Sequence, residues 1–266
     1  MQTVSRDSCY MAADAEAKPA EKGPAEKMCV LKLGLVIPTL NEAGNIGGLL
    51  AHVRSVLDGQ KIPFEIIVVD DDSRDGTGDV VSSVAREDPR VRLIVRKGEK
   101  GLSGAVIDGW AASDAEVLGV MDADLQHPPE MLTALYAAVS EGKDLAVGSR
   151  YTAGGGVGEW NFFRKFLSTA AVWATLPIQH SGARARDPMS GFFMIRRECL
   201  DGVRLQREGF KLLLDVLVRG HVRSLREVPI AFGARSQGAS KANFKVGWHY
   251  ARLLMKLYAW RCGLGR

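Results

Sequence analysis

Two acidic side chains and an amide follow an apolar run near the middle of the chain. Asp122 and Asp124 come directly after Val117–Met121, and Gln126 lies two residues further on. Because alternate side chains of an extended backbone point to the same side, their oxygens leave the end of this strand together. Hard cations such as Mg²⁺ or Mn²⁺ take oxygen ligands and share their coordination with phosphates. The spacing predicts a metal-held pyrophosphate, whereas a lone Asp-X-Asp would more often be a solvated acidic turn.

A second acidic segment, Asp70–Asp75, follows the apolar run Phe64–Val69. Its carboxylates could accept hydrogen bonds from the ring N–H groups or the ribose hydroxyls of a nucleoside, and Asp71 is the one that we favour for that contact. Asp75-Gly76 also has the composition of a turn, and Ser73 or Asp75 could cap a helix. Both interpretations stay open because one segment can do both.

These segments follow the strands of an alternating pattern. The apolar run from Leu31 stops at Pro38, after which Asn41 is expected to cap a helix through Leu57. The alternation continues with predicted strands at Phe64–Val69, Val91–Val95, Val117–Met121, Leu145–Gly148 and Ser224–Phe232, and predicted helices at Thr77–Arg86, Ser103–Ala112, Pro129–Ser140 and Glu208–Arg219. It predicts an α/β domain with a parallel sheet, whose ligands bind beyond the carboxyl ends of the strands. The chemistry-bearing segments therefore share one edge: residues 38–42, 70–75, 97–101, 122–126 and 149–150.

The composition is that of a folded soluble domain. Of 266 residues, 46% are hydrophobic and 25% are charged, and no apolar run reaches the roughly 18 residues that a transmembrane helix needs. The amino terminus lacks the apolar segment of a secretory signal, which leads us to expect the protein in the cytoplasm. The four cysteines are scattered and are interpreted as reduced thiols. A net charge of +4 suits nucleic acid, an anionic membrane or phosphorylated substrates and does not choose among them.

Three regions are expected along the chain. Residues 1–30 are small, charged and proline-containing, with nothing to bury, which predicts a disordered tail. Residues 31–242 are expected to form the α/β domain. Residues 243–266 are expected to form an amphipathic helix with basic side chains at helical spacing, at Lys245, His249, Arg252 and Lys256. Such a helix is expected to lie on an anionic membrane or to pack on a partner subunit.

Eight motifs in a fixed order carry a family resemblance. They are Pro-Thr-Leu-Asn-Glu at 38–42, Val-Val-Asp-Asp-Asp-Ser at 68–73, Lys-Gly-Leu-Ser at 100–103, Met-Asp-Ala-Asp-Leu-Gln-His-Pro-Pro-Glu at 121–130, Gly-Ser-Arg-Tyr at 148–151, Asp-Pro-Met-Ser-Gly-Phe-Phe at 187–193, Gly-Phe-Lys at 209–211 and Phe-Gly-Ala-Arg-Ser-Gln-Gly-Ala-Ser-Lys at 232–241. Together they resemble the dolichol-phosphate mannose synthases of glycosyltransferase family 2, from about Leu33 to Lys241. The first two motifs are shared by many sugar-nucleotide transferases. The motif Leu-Gln-His-Pro-Pro-Glu and the loop from Arg235 to Lys241 are more specific to the transferases that act on polyprenyl phosphates.

The resemblance implies an A-type glycosyltransferase fold, Rossmann-like, with a mostly parallel central sheet and helices on both faces. It also implies an enzyme that uses GDP-mannose and Mg²⁺ or Mn²⁺. The implied donor-binding residues are Pro38, Leu40, Glu42, Val69 and Asp71 around the guanosine, Asp122, Ala123, Asp124 and Gln126 at the metal, phosphates and sugar, and Lys211, Arg235 and Lys241 at the leaving diphosphate. The implied metal ligands are Asp122, Asp124 and Gln126. The residues implied to be catalytic are Asp124, Arg150, Arg235 and Lys241. The family often has an aromatic residue in place of Leu40.

The segment Asn161–Leu176 is amphipathic, with the aromatic and basic composition of a membrane interface or of a helix packed on the sheet. In the family this region meets the lipid, which implies dolichyl or polyprenyl phosphate as the acceptor. Its phosphate would be received by Arg150, Arg164 and Ser168. We expect peripheral contact with the cytosolic face of a membrane, directly or through a membrane-anchoring partner subunit, and no nucleic-acid partner. The glycine-containing loop Gly233–Ser240 could close over the pyrophosphate.

A phosphate acceptor does not need a general base. A phosphomonoester carries about −1.5 to −2 charge at pH 7, and the nucleophile therefore arrives already deprotonated. Cations that stabilise the departing diphosphate would then allow direct displacement at the sugar carbon. Displacement inverts that carbon, and an α-linked donor sugar would become a β-linked mannosyl phosphate. His127 is interpreted as a structural residue.

Other functions are weighed against this one. A UDP-sugar donor carrying glucose or an N-acetylhexosamine is the nearest alternative, because no residue pattern fixes the hydroxyls of the sugar. A non-catalytic subunit that binds nucleotide or lipid phosphate is disfavoured by the intact Asp122 and Asp124. A polysaccharide polymerase is disfavoured because we find no pore-forming helices. A dehydrogenase is disfavoured because Pro38–Glu42 stands where Gly-X-Gly-X-X-Gly would be expected.

Overall fold

The computed structural model describes residues 32–98, 100–152, 173–179, 182–209, 211–231 and 244–264, without the side chains of 244–249. Its strands are β1 (Leu33–Thr39), β2 (Phe64–Asp70), β3 (Val91–Val95), β4 (Val117–Val120), β5 (Leu145–Ser149), β6 (Phe193–Arg196) and β7 (Leu225–Pro229). Its helices are α1 (Ala43–Gly59), α2 (Thr77–Glu87), α3 (Leu102–Ala111), α4 (Met131–Ser140), α5 (Leu212–Arg219) and α6 (Phe244–Arg261), with a 3-10 helix at Arg197–Leu200.

The strands form one sheet in the order β3-β2-β1-β4-β6-β5-β7. The pairs β3-β2, β2-β1, β1-β4 and β5-β7 are parallel, while β6 runs antiparallel to both β4 and β5. The predicted mostly parallel α/β architecture is thus confirmed. Strand β6 was not predicted from the sequence, and its reversed direction brings the segment before it to the same edge as the carboxyl ends of the parallel strands.

Helices cover both faces of the sheet. On one face α1, α2 and α4 bury side chains such as Leu49, Val81 and Leu135 against it. On the other face α3 and α5 bury Trp110 and Leu213. The alternation of side chains along β1 and β2 supplies both layers, as expected for a sheet that is buried on its two faces.

Helix α6 packs on the domain itself. Leu257 is fully buried in a cluster with Leu214 and Val218 of α5 and with Ile178, and the Tyr258 hydroxyl donates to the carbonyl of Ala174 at 2.7 Å. The sequence predicts that this helix contacts a membrane or a partner subunit. Among its described side chains, Leu253, Leu254 and Trp260 also pack against this cluster, and the helix is therefore partly covered by α5. No helix in the described part of the chain combines the length and apolarity that a bilayer span requires.

The prediction that Asn41 caps α1 is wrong. Asn41 adopts the left-handed conformation, with φ at 59°, and its side-chain oxygen accepts the N–H of Arg74. The first N–H of the helix, on Ala43, is instead satisfied by the Asp75 carboxylate from the loop after β2, at 2.9 Å. Helix α5 begins at Leu212, four residues later than predicted from Glu208, and Glu208 and Gly209 lie in a bend before it.

Candidate active site

The carboxyl ends of β1, β2, β4 and β5 lie along one edge of the sheet, together with the segment Asp187–Phe192 that leads into antiparallel β6. This is the edge where open α/β sheets bind their ligands. Three of the four non-glycine residues with positive φ in the described chain follow strands at this edge: Asn41, Asp72 and Leu125. Backbone strain of this kind concentrates at functional sites.

Asp122 and Asp124 leave the end of β4 half-buried, with buried Ala123 between them. The Asp124 Oδ1 atom accepts the backbone N–H of Gln126 at 3.2 Å, which closes a tight turn. Leu125 lies in the middle of that turn, 44% exposed and with φ at 61°. The turn keeps Asp122, Asp124 and Gln126 together in one short segment at the rim.

His127 supports this turn from below. Its ring is 2% exposed, stacks on Phe192 with centroids 5.0 Å apart, and its Nδ1 atom lies 3.4 Å from the backbone N–H of Asp122. Burial lowers the pKa of His127 to about 4, and the imidazole is therefore neutral at pH 7. A neutral Nδ1 can accept the Asp122 N–H, which agrees with the structural role expected from the sequence.

Gly191 leaves room for the Asp122 carboxylate. A Cβ atom at this glycine would lie 2.6 Å from the Asp122 Oδ2 atom, closer than real contacts allow. Within the described residues, no three His, Cys, Asp or Glu side chains converge into a complete metal site. Two carboxylates and an amide oxygen in an open position nevertheless suit a hard cation, which takes its other ligands from substrate phosphates and water. The residues fit the predicted cation on these terms.

Arg150 is clamped by a buried carboxylate. Its Nε and Nη2 atoms donate to the two oxygens of Asp187, each at 2.8 Å, and its backbone N–H donates to the same group. Asp187 is fully buried, and Glu227 of β7 accepts its backbone N–H at 3.1 Å. Burial opposes the charge on Arg150, but the ion pair outweighs it and raises the pKa of the guanidinium. The sequence did not assign Asp187 a role; the only signal was its place in the motif Asp-Pro-Met-Ser-Gly-Phe-Phe.

Lys211 stands immediately before α5 and belongs to the same electrostatic cluster. Burial and the nearby Arg150 guanidinium lower the pKa of Lys211, and the carboxylates of Asp187 and Asp122 act in the opposite direction. Two cations and two carboxylates therefore influence one another at this end of the rim. Asp187 is already paired with Arg150, and Asp122 is one of the predicted cation ligands.

Asp71 is engaged by the protein itself. Its carboxylate is buried, with Oδ1 accepting from the Arg96 guanidinium at 2.8 Å and Oδ2 from the backbone N–H of Gly101 at 2.7 Å. Arg96 also pairs with Asp108, which forms a two-bonded ion pair with Arg207. The carboxylate thus fixes the loop after β3, and a nucleoside contact would use the lone pairs that these donors leave.

The other acids of this segment tie loops together. Asp70 accepts from the hydroxyls of Thr39 and Ser73, and Asp75 accepts from Ala43 and Thr77. Asp75 also accepts the backbone N–H of Thr77 at 3.0 Å, two residues on, which agrees with the turn interpretation, and its bond to Ala43 is a contact at the start of α1. These bonds join the loop after β1 to the loop after β2 and hold the floor of the predicted nucleoside pocket.

The remaining predicted guanosine-pocket residues differ in exposure. Leu40 is 49% exposed at the rim, while Pro38 and Glu42 are half-buried and the Glu42 carboxylate accepts from the Asn45 amide at 2.8 Å. Val69 is fully buried in the core against α3, where only its backbone can face the rim. Arg164, Ser168, Arg235 and Lys241 lie outside the described residues. The roles given to all of these residues stay predictions.

A family model described as glycosyl transferase family 2 matches residues 35–204. The chain belongs to glycosyltransferase family 2. Proteins named dolichol-phosphate mannosyltransferase are similar over most of this chain. One from Mycosarcoma maydis is 37% identical over 86% of this chain and 80% of its own length, and one from Saccharomyces cerevisiae is 33% identical over 88% of this chain and 89% of its own length. One from Pyrococcus furiosus is 40% identical over 89% of this chain but only 66% of its own length. The family resemblance predicted from the motifs is confirmed, and the protein is a glycosyltransferase.

Solved structures of the same fold include mannosyl-3-phosphoglycerate synthase from Rubrobacter xylanophilus, with a TM-score of 0.66 and 18% identity over 88% of this chain and 76% of that one. Glucosyl-3-phosphoglycerate synthase from Mycobacterium tuberculosis, solved with Mn²⁺ and UDP, has a TM-score of 0.62 at 18% identity over 88% and 81%. These likenesses confirm the A-type glycosyltransferase fold that family 2 membership implies.

Proposed function

We propose that this glycosyltransferase transfers mannose from GDP-mannose to dolichyl or polyprenyl phosphate, with inversion, to give a β-mannosyl phosphate lipid for glycan assembly. The observation that carries the proposal is the similarity, at 33–40% identity, to proteins named dolichol-phosphate mannosyltransferase. A relative named polyprenol monophosphomannose synthase, from Mycolicibacterium smegmatis, is 34% identical over 91% of this chain and 89% of its own length. A short acidic turn at the end of β4, with the Arg150 and Lys211 side chains beside it, agrees with this chemistry.

Different residues are proposed to bind the cation and to supply fixed positive charge. Asp122, Asp124 and Gln126 would hold Mg²⁺ or Mn²⁺, which would neutralise charge on the diphosphate when bound. Arg150 and Lys211 add fixed positive charge next to that turn. Because Asp187 holds the Arg150 guanidinium by two hydrogen bonds, its orientation is set before any substrate arrives. Preorganised charge of this type needs no rearrangement during the reaction.

The acceptor supplies its own nucleophile. At pH 7 its phosphate carries about −1.5 to −2 charge, and no proton has to be removed. This agrees with the chemistry of the described rim, where the one histidine beside the acidic turn is buried, neutral and stacked on Phe192. Arg150 on the described rim, with Arg164 and Ser168 outside the described residues, would receive the phosphate.

The lipid acceptor requires contact with a membrane, and we propose that this contact is peripheral. Trp173 is 70% exposed and Met255 59% exposed, close to the Tyr258–Ala174 hydrogen bond, and Arg252 is exposed on α6. Aromatic and cationic side chains of this kind are enriched at membrane interfaces. An anchoring partner subunit would serve the same need.

A donor panel tests the proposal. Purified protein is incubated with Mg²⁺ or Mn²⁺, a short polyprenyl phosphate and radiolabelled GDP-mannose, UDP-glucose or UDP-N-acetylglucosamine in separate reactions, and label in the organic phase is counted. We expect label from GDP-mannose alone. Label from a UDP-sugar would overturn the donor, and label from none, with nucleotide still bound, would favour a binding subunit.

A further inference from the structure

A basic pocket lies on the opposite edge of the sheet from the candidate active site. Strand β7 is parallel to β5, with Leu225 beside Leu145 and Pro229 beside Ser149. The carboxyl end of β5 carries Arg150, so the segment 219–223 just before β7 lies at the other edge. Four residue steps along a strand amount to about 13 Å. This pocket is therefore separate from the acidic turn and its cationic cluster.

The pocket has a volume of about 780 Å³ and is lined by four arginines, a histidine and a tryptophan, with glycines between them: Arg204, Arg219, His221, Arg223, Trp260 and Arg261. None of its lining residues in the described part of the chain is acidic. Asp201 lines two neighbouring grooves, and the Asp144 carboxylate accepts the backbone N–H of Arg223 at 2.8 Å. The space is ample for a phosphate group and for the group that bears it.

Arg219 forms part of the wall of the pocket. The Arg219 guanidinium donates to the buried Asp215 carboxylate at 2.7 Å and lies 5.1 Å from the centroid of the Trp260 ring. Its charge is therefore balanced, and it fixes the ring against α5. Trp260 is half-buried and presents a rigid surface between α5 and α6.

The guanidinium groups of the other three arginines are open to solvent. Arg204, Arg223 and Arg261 are exposed, and among the described residues no hydrogen bond or ion pair engages their guanidinium groups. They come from three separate segments: the turn after the 3-10 helix, the approach to β7, and the end of α6. Three exposed guanidinium groups that line one pocket without a bonded acid favour an external anion.

The helix ends at the pocket do not cancel this charge. Helices α5 and α6 both end here, and a helix carboxyl end carries roughly −0.5 charge. Two such ends against three guanidinium groups leave about +2, or about +1 when the Asp144 carboxylate at the Arg223 backbone is included. The last carbonyls are partly satisfied already, by the N–H groups of Gly220 and Leu264. The net positive charge attracts a phosphate, which carries about −1.5 to −2 charge, and arginine binds its oxygens in pairs.

We propose that this pocket is a second anion site, which binds a phosphate group between Arg204, Arg223 and Arg261 with Trp260 against the group that carries it. The phosphate is that of an anionic phospholipid headgroup or of a soluble phosphorylated molecule. The site does not depend on the donor or the acceptor of the transfer reaction. It binds phosphate at the edge of the sheet opposite the candidate active site.

The test uses the indole N–H signal of Trp260 in ¹H–¹⁵N spectra of the full chain, assigned by its absence in Trp260→Phe. Inorganic phosphate, monomeric dihexanoyl phosphatidic acid and dihexanoyl phosphatidylcholine are titrated separately. We expect a saturable shift with phosphate or phosphatidic acid and none with phosphatidylcholine. A tighter response to phosphatidic acid identifies a lipid headgroup as the source, and an equal response identifies a soluble phosphate.

Two variants decide whether the arginines are responsible. Replacement of Arg204, Arg223 and Arg261 by Gln is expected to weaken the response at least tenfold. Removal of three basic side chains elsewhere, as Lys61→Gln, Arg86→Gln and Lys143→Gln, is expected to leave it unchanged. If the triple variant folds poorly, single Arg204→Gln and Arg223→Gln variants, each at an exposed position, replace it. Each is expected to weaken the phosphate response, by less than the triple variant does. The absence of a saturable shift with both phosphate probes, or a response that survives in the arginine variants, would overturn the site.

Discussion

At the scale of single residues, the rim is held by partners that come from other loops. Asp187 orients Arg150, His127 supports the backbone of Asp122, and Gly191 leaves space beside the Asp122 carboxylate. None of the three supporting residues was assigned a binding role from the sequence. Asp187 and Gly191 act on neighbours that are distant in the chain, and His127, although near Asp122, is held by the distant Phe192. Such proximity has no local pattern.

Gly191→Ala is expected to weaken Mn²⁺ binding at least tenfold. The new Cβ atom would lie 2.6 Å from the Asp122 Oδ2 atom, which would force the carboxylate out of position. Mn²⁺ affinity in the presence of GDP, measured by electron paramagnetic resonance, checks this. Gly48→Ala is the matched control, since its Cβ atom would meet nothing within 4 Å. Equal Mn²⁺ affinity in the two variants would show that Asp122 is not a ligand.

Asp187→Asn is expected to lower kcat/KM for transfer by at least a hundredfold and the free energy of unfolding by about 3 kcal/mol, because a buried pair that loses one partner leaves an uncompensated charge. Transfer kinetics and urea denaturation measure the two effects. Glu227→Gln, which touches only the backbone N–H groups of Arg186 and Asp187, is expected to have a much smaller effect on transfer. Transfer within threefold of the unmodified protein in Asp187→Asn would remove Arg150 from the reaction.

At the scale of elements, long periodic segments could be predicted and short ones could not. Strand β3 lies where the sequence predicts it, at Val91–Val95, because its apolar run and its flanking turns are both clear. Strand β6 has four residues and pairs in the antiparallel direction, which no alternation of strands and helices would indicate. Leu125 adopts a left-handed backbone, although leucine does not favour it. Only the fold around it imposes that conformation.

The same substitution is expected to have opposite effects in two helices. Gly109→Ala in α3 places a Cβ atom 2.7 Å from both methyl groups of Val36 in β1, and overpacking of this kind costs about 1–3 kcal/mol. Gly48→Ala on the exposed side of α1 meets open space and should add about 0.5–1 kcal/mol through helix propensity. Urea denaturation of both variants measures the two signs. A stabilised Gly109→Ala would mean that α3 lies further from β1 than the structure has it.

At the scale of the whole molecule, the sheet separates two surfaces. One edge carries the acidic turn and its cations, and the other carries the arginine pocket beside the end of α6. The sequence predicted the fold class and the first edge because strand ends and motifs coincide there. It did not predict that α6 packs on α5 through Leu257, since an amphipathic pattern does not say which surface will cover it.

Replacement of the basic positions Lys245, His249, Arg252 and Lys256 by Gln is expected to weaken binding to anionic vesicles at least tenfold, since each Lys or Arg near such a surface contributes about 1 kcal/mol. Arg252 is exposed on α6, and Lys256 has only a 3.7 Å contact with the exposed Glu208. Vesicle sedimentation with and without phosphatidylserine measures this. The variant with Lys61, Arg86 and Lys143 replaced by Gln is the control. Unchanged sedimentation of the α6 variant would exclude this helix as the anchor.

The central claim is that a divalent cation held at Asp122 and Asp124 supports mannosyl transfer to a polyprenyl phosphate. The most direct measurement is label from GDP-mannose in the organic phase, for the unmodified chain and for Asp124→Asn, with EDTA and with Mn²⁺ restored. We predict that EDTA abolishes the label, that Mn²⁺ restores it in the unmodified chain, and that Asp124→Asn stays at least a hundredfold lower throughout. Full transfer by Asp124→Asn, or transfer that EDTA does not reduce, would contradict the claim.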